Sequence, residues 1–171
     1  RDYYASRGLG DVYKRQVLEK NAENVADMMR DIELHFAYRA RQEKKEIILS
    51  GSDHLSLFCD RDWLNEAIDN IVKNAFDHTE SGATIRVAWK ELPSGVQIVI
   101  TDNGCGIHPE DIHHIFKRFY RSRFSKDTQG IGLGLPLAKA IIEAHGGLIE
   151  VESELGIGTS FIMNFPIPTK L

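Results

Sequence analysis

The chain of 171 residues has only two cysteines, a net charge of only −4 and no long apolar run. Each scarcity excludes a class of protein. Cys59 and Cys105 form no C-x-x-C pair and have no histidines at zinc-ligand spacing, so neither a disulfide framework nor a zinc site is expected, and a reducing cytosol fits best. The slight acidic balance leaves no electrostatic footprint for DNA or RNA, and the basic cluster at 117–123 is too short to supply one. No stretch approaches the roughly 20 apolar residues that span a bilayer, and no charged-then-apolar leader is present, so a soluble domain without direct membrane contact is expected. What is abundant is core material. With 42% hydrophobic and 27% charged residues, the chain suits one well-cored domain plus a tail.

Residues 1–16 follow neither a helix nor a strand period, and the pattern changes abruptly after them. Two readings stand side by side: a disordered native tail, or a non-native leader, because 8–16 resemble translated adapter sequence at the end of a gene fragment. Residues 17–24 then read as the remnant of a linker, and 25–168 as the folded domain.

From 25 to 41 apolar residues recur at three and four, predicting an amphipathic helix. Short apolar runs at 46–49 and 55–59 predict two strands of one sheet. Asp60 is placed to cap a second helix running to about Thr79 and ended by Ser81-Gly82. Alternation over 84–92 and 96–101 around Pro93-Ser94-Gly95 predicts a hairpin that Asp102 closes. Pro109 suits a first helical position, predicting a short helix at 109–115, and the polar stretch 121–129 reads as a mobile loop. A helix at 133–145 stopped by Gly146-Gly147, and strands at 148–153 and 160–165, complete the series. The expected fold is α+β, a two-layer sandwich with helices on one face of a mixed, mainly antiparallel sheet.

Four short motifs carry the chemistry. Asn70, Asn74 and Asp77 fall at i, i+4 and i+7 and form a polar stripe on the second helix; such asparagines are either solvated or offer amide oxygens to a magnesium ion that keeps waters and phosphates for its other positions. Asp102-Asn103-Gly104-Cys105-Gly106 sets a carboxylate at a strand end before two glycines, which makes either a plain turn or an acceptor for an exocyclic amino group such as that of adenine. Gly130-Ile131-Gly132-Leu133-Gly134-Leu135 opens a helix, where free N–H groups and the helix dipole suit a phosphate. It is neither a P-loop nor a dinucleotide-binding fingerprint. Arg118, Arg121, Arg123 and Lys126 lie in or beside the expected loop, where a cation can meet a γ-phosphate or simply be solvated. Phe116 and Phe119, three apart, are expected to anchor that loop in the core, and Gly156, Gly158 and Thr159 to form a turn whose hydroxyl can join a base-binding network.

In this order, the segments 70–75, 102–106, 116–119, 130–135 and 156–159 resemble the N, G1, F, G2 and G3 boxes of the catalytic ATP-binding domain of bacterial sensor histidine kinases, over about 24–166. The resemblance implies the Bergerat-type ATP-binding sandwich shared with gyrase, Hsp90 and MutL. It implies ATP and Mg²⁺ as cofactors, Asp102 on the adenine amino group, Asn74 on the metal and an ATP lid over about 120–129. It further implies nucleotide contacts from Asn70, Asn74, Asp77, His78, Asp102, Gly104, Gly106, Ile107, Gly130, Gly132, Leu133, Gly134, Leu135 and Thr159, and catalytic roles for Asn70, Lys73, Arg118 and Arg121.

Asn70 stands where the gyrase-like ATPases and the serine-kinase anti-sigma factors carry a water-activating glutamate, so hydrolysis is expected to be slow and a kinase is favoured over an ATPase. Asp77 replaces the lysine often found at its position. No histidine here is followed by an acidic residue and then a nearby proline, so the phosphoacceptor is expected on a dimerisation domain outside this chain, and the chain is not expected to phosphorylate itself. A response regulator is the implied partner, and a cytoplasmic domain of a membrane-anchored parent the implied setting. The alternatives are a gyrase- or Hsp90-like ATPase and a module that holds ATP or a protein without phosphotransfer.

Overall fold

The structure, a computed structural model, describes residues 18–120 and 134–167. Among the described residues, ten elements occur in the order β1 (Asn21–Asn24), α1 (Val25–Glu43), β2 (Glu46–Ser50), β3 (Ser56–Cys59), α2 (Arg61–Asp77), β4 (Thr84–Leu92), β5 (Gly95–Asp102), α3 (Gly134–Ala144), β6 (Leu148–Glu154) and β7 (Gly158–Pro166). Five strands form one sheet in the order β2-β4-β5-β7-β6, with only β2 and β4 parallel. Along β5 and β7 alternate residues are buried, so Ile98, Ile100, Phe161, Met163 and Phe165 meet the helices while Gln97, Thr101, Ser160 and Asn164 line the other face. This is the expected two-layer α+β sandwich.

Helices α1 and α2 each start where a side chain meets orphan N–H groups. Asn24 Oδ1 accepts the Asp27 N–H at 2.9 Å, and Asp60 Oδ1 accepts that of Trp63 at 3.3 Å. The buried stripe of α2 contains Leu64, Ala67, Ile68, Ile71, Val72, Ala75 and Phe76, as the 3.6-residue period requires. Each large aliphatic side chain removed from water there contributes about 1.5–3 kcal/mol. Helix α3 ends in a pair of bonds, Gly146 N–H to Glu143 O and Gly147 N–H to Ile142 O, with Gly146 at φ +75°, a left-handed conformation that a Cβ would disfavour. Cys59 and Cys105 are both free, and burial pushes the Cys59 thiol up to about 12.

Several expectations need correction. The two runs at 46–49 and 55–59 do not share a sheet: β2 joins the five-stranded sheet, whereas β3 pairs antiparallel with β1, formed by residues expected to be linker. Alternation marks a strand but carries no information about its partner. Helix α2 ends at Asp77, before Ser81-Gly82, because side chains take the carbonyls that further turns would use: Thr79 Oγ1 donates to Ala75 O at 2.8 Å and Lys45 Nζ to Phe76 O at 2.7 Å. No helix forms at 109–115. Hydrogen bonds from Asp111, His114, Lys117 and Tyr120 N–H each reach back three residues, giving a chain of turns, and Tyr120 Oη donates to the buried Asp111 carboxylate. The two phenylalanines therefore part. Phe116 packs edge-on against Phe161 at 6.2 Å, while Phe119, at φ +63°, is 42% exposed. Gly158 and Thr159 belong to β7 and not to the preceding turn. Residues 1–16, expected as a native tail or a non-native leader, and 121–129, expected as a mobile loop, lie outside the described residues.

One buried histidine joins the two helices that frame the site. His145 Nδ1 donates to Ile141 O at 2.8 Å, which leaves Nε2 to accept the Asp60 N–H at 3.1 Å. Burial lowers its pKa from 6.5, against the bond to Ile141 O and with Lys20 and Asp60 as the charged groups facing it. The folded value lies below the unfolded one, so the stabilisation is complete above about 6.5 and is lost as pH falls from there toward the folded value. The urea midpoint of the wild type is thus expected to drop more between pH 7.5 and pH 5.5 than that of His145→Gln, whose amide can make both bonds without titrating. Equal drops would refute this role.

Candidate functional site

The site forms where the C-terminal end of α2, the end of β5 and the start of α3 converge. Asp102 is the last residue of β5, and it is paired across the sheet with Thr159 of β7, which is paired in turn with Ser153 of β6. Directly opposed residues share a face, so this row continues the apolar inner face of the sheet with three polar side chains. Asp102 is buried, and desolvation raises its pKa; the N–H groups of Gly104 and Thr159 and the nearby His78 act the other way. Gly104 N–H reaches Asp102 Oδ1 at 2.8 Å. A carboxylate so held keeps lone pairs for one further donor.

The loop after Asp102 is pressed against its neighbours. A Cβ on Gly104 would lie 2.5 Å from His78 O and 3.0 Å from Thr79 Cγ2, so glycine alone permits this approach between the loop and the end of α2. Beyond Gly106, the Ile107 N–H donates to Ser153 Oγ at 2.7 Å, and Gly156 N–H donates to Cys105 O at 2.8 Å. Ser153 Oγ also lies 3.0 Å from Gly158 O and from Thr159 Oγ1. The loop at 103–107 is therefore tied by hydrogen bonds to β6 and the β6–β7 turn.

On α2, Asn70 Nδ2 donates to Glu66 O at 3.0 Å, while its Oδ1 faces Gly134, where a Cβ would stand 3.3 Å away. The asparagine stripe thus borders the first turn of α3, which Gly134 and Leu135 open. Asn74 is half-buried one turn on from Asn70. Lys73 and Asp77 are paired with each other at 2.8 Å, and Asp77 also takes Arg39 of α1 at 2.8 Å. Arg118 is exposed in the turns after 108. Arg121, Gly130, Gly132 and Leu133 lie outside the described residues.

Two groups in this region escaped the sequence reading. Ser153 is a polar residue at an inward position of β6, between Val151 and the turn, and that break in alternation is its signal. Lys45 precedes β2, and nothing in its local pattern marks it, although its side chain is 4% exposed.

A carboxylate for a base, amide oxygens and a helix N-terminus on one rim suit a nucleotide and its metal. A magnesium ion takes one or two protein oxygens and completes its shell with water and phosphate, so the neutral, hard oxygens of Asn70 and Asn74 fit it.

Known proteins resemble this chain. "Sensor protein SrrB" of Staphylococcus aureus is 41% identical over 111 residues, 64% of this chain, and the chain spans only 19% of SrrB. The nucleotide-free catalytic domain of histidine kinase ThkA superposes with a TM-score of 0.76 at 26% identity, covering 87% of this chain and 96% of that one. Full-length ShkA in complex with AMPPNP superposes with a TM-score of 0.83 at 24% identity, covering 97% of this chain and 35% of that one, and shares the fold. Residues 59–169 match the family described as "Histidine kinase-, DNA gyrase B-, and HSP90-like ATPase". Spread over both layers of the fold and every motif of the rim, that match makes this chain a member of the histidine kinase-, DNA gyrase B- and HSP90-like ATPase family.

Proposed function

We propose that this domain binds Mg²⁺-ATP and presents its γ-phosphoryl group to a histidine on a dimerisation domain, as the catalytic part of a sensor histidine kinase that serves a response regulator. The observation that carries the reading is the buried Asp102, held by Gly104 N–H and aligned with Thr159, on the same rim as Asn70 and Gly134. Asp102 accepts from the adenine amino group, with His78, Gly104, Gly106, Ile107 and Thr159 around the base. Asn74 and Asn70 would hold the metal, which would offset charge on the phosphates, and the glycine motif at 130–135, of which Gly134 and Leu135 open α3, would receive them. Asn70 cannot take a proton from water, so phosphate is kept for the imidazole nucleophile, and Arg118 and Arg121 are available to the charge that develops on transfer. Lys73 is neutralised by Asp77, which supports an orienting role for that pair.

Among the described residues no helix is long and apolar enough to cross a membrane. Placement of the domain in the cytosol, on a parent protein anchored elsewhere in its chain, is part of the proposal. The test is incubation of this chain with Mg²⁺, γ-labelled ATP and a separately expressed dimerisation domain of a sensor kinase. Acid-labile, base-stable phosphate on the acceptor, with slow release to water, is the expected result. Rapid hydrolysis that ignores the acceptor would instead establish an ATPase.

A further inference from the structure

Lys45 follows the C-cap of α1 and precedes β2, far in sequence from every motif of the site. A buried ammonium is tolerated when each of its protons finds an acceptor. Here the three acceptors are Glu43 Oε1 at 2.7 Å, Phe76 O at 2.7 Å and Thr79 O at 2.9 Å. The same nitrogen lies 5.6 Å from the centroid of the Phe76 ring. Two of its three bonds therefore end on carbonyls at the C-terminal end of α2, where the helix dipole leaves partial negative charge and no further turn satisfies them.

Those carbonyls flank His78, and His78 O with Thr79 Cγ2 forms the surface on which Gly104 rests. Gly104 N–H in turn holds Asp102 Oδ1. Contacts thus run without a gap from the Lys45 ammonium, through the end of α2 and Gly104, to the carboxylate. We propose that Lys45 is a positioning residue for base recognition: by bonding Phe76 O and Thr79 O it sets the height of the α2 terminus, and through Gly104 it aims the Asp102 carboxylate at the amino group of an adenine nucleotide. This rests on the reading of Asp102 given above. A methionine at 45 fills the same volume but withdraws both bonds, leaving Thr79 O unmet and Phe76 O with only the 3.4 Å bond from Thr79 Oγ1, so the terminus moves to find water and the loop at 103–107 follows. The phosphate end of the site, on α3, is untouched. Base discrimination should therefore suffer more than nucleotide binding as such.

The experiment compares Mg²⁺-ADP with Mg²⁺-IDP, which carries a carbonyl in place of the amino group, by calorimetric titration of the wild type, Lys45→Met and Lys45→Arg. A hydrogen bond to an ionised group predicts a wild-type preference for ADP of about tenfold or more. In Lys45→Met the preference should shrink to within about threefold, which corresponds to loss of most of one such bond. Lys45→Arg, which keeps charge and donors, should recover much of it. A methionine variant that melts lower yet keeps the wild-type preference would overturn the proposal, because Lys45 would then only stabilise the fold. If that variant does not fold, Lys45→Gln, whose shorter side chain keeps two N–H donors but no charge, should show a loss of preference of the same sign and smaller size, and an unchanged preference there would overturn the proposal likewise. A wild type that binds both nucleotides equally would overturn the Asp102 reading itself, and this inference with it.

Discussion

Asp102→Ala is expected to lower the affinity for Mg²⁺-AMPPNP by roughly 30- to 150-fold, the equivalent of one hydrogen bond to a charged acceptor at about 2–3 kcal/mol. The fold should survive. Burial raises the Asp102 pKa above its unfolded value, so the ionised group is a net burden on the native state at neutral pH, relieved only as pH falls through the folded value. Alanine removes that burden, although it leaves the Gly104 and Thr159 N–H groups without their acceptor. The two effects oppose each other, and the melting temperature should change far less than the affinity. Titration calorimetry and thermal melting on the same two proteins check both halves. Wild-type affinity in the variant would remove Asp102 from the site.

Gly158→Ala should be among the most damaging small substitutions in the sheet. Its Cβ would come 2.0 Å from Asp102 O and 3.0 Å from Asp102 C, and Gly158 sits at φ +150°, where side chains are rarely accommodated. The obstacle is the backbone of a paired strand, so no flexible side chain can swing aside. Strand β7 must separate from β5 at its first residues, at a cost of about 3 kcal/mol from overpacking and backbone strain together. For a domain of this size that lowers the melting temperature by roughly 10 °C. Nucleotide affinity should fall with it, because the atoms displaced belong to Asp102 itself. A melting temperature within a degree or two of wild type would show that the strand end yields without strain.

Much of this could be read from the residues in order. The apolar spacing of 25–41 and the stripe from Leu64 to Ala75 marked two helices, since a helix must bury one face whatever lies opposite. Pro93-Ser94-Gly95 marked the β4–β5 hairpin for the same local reason. The segment at 109–115 misled because Pro109 permits a helix without requiring one, and the hydrogen bond of Asp111 to Tyr120 favours a chain of turns. Ser153 and His145 were missed as site or framework residues because their partners, Ile107 and Asp60, are remote along the chain.

The sequence by itself determined the order and kind of most elements, the carboxylate at 102, the asparagines at 70 and 74, and the glycines that admit close approach, because periodicity, capping and the absence of a Cβ act within a few residues. The tertiary structure alone decided that β3 pairs with β1, that Asp77 is held by Arg39 and Lys73, that Lys45 bonds the carbonyls at the end of α2, and that Ser153 bonds the loop at 103–107. Strand partners, ion pairs and buried hydrogen bonds form between segments far apart in the chain. Their energies depend on which groups have been excluded from water together, and only the packed molecule settles that.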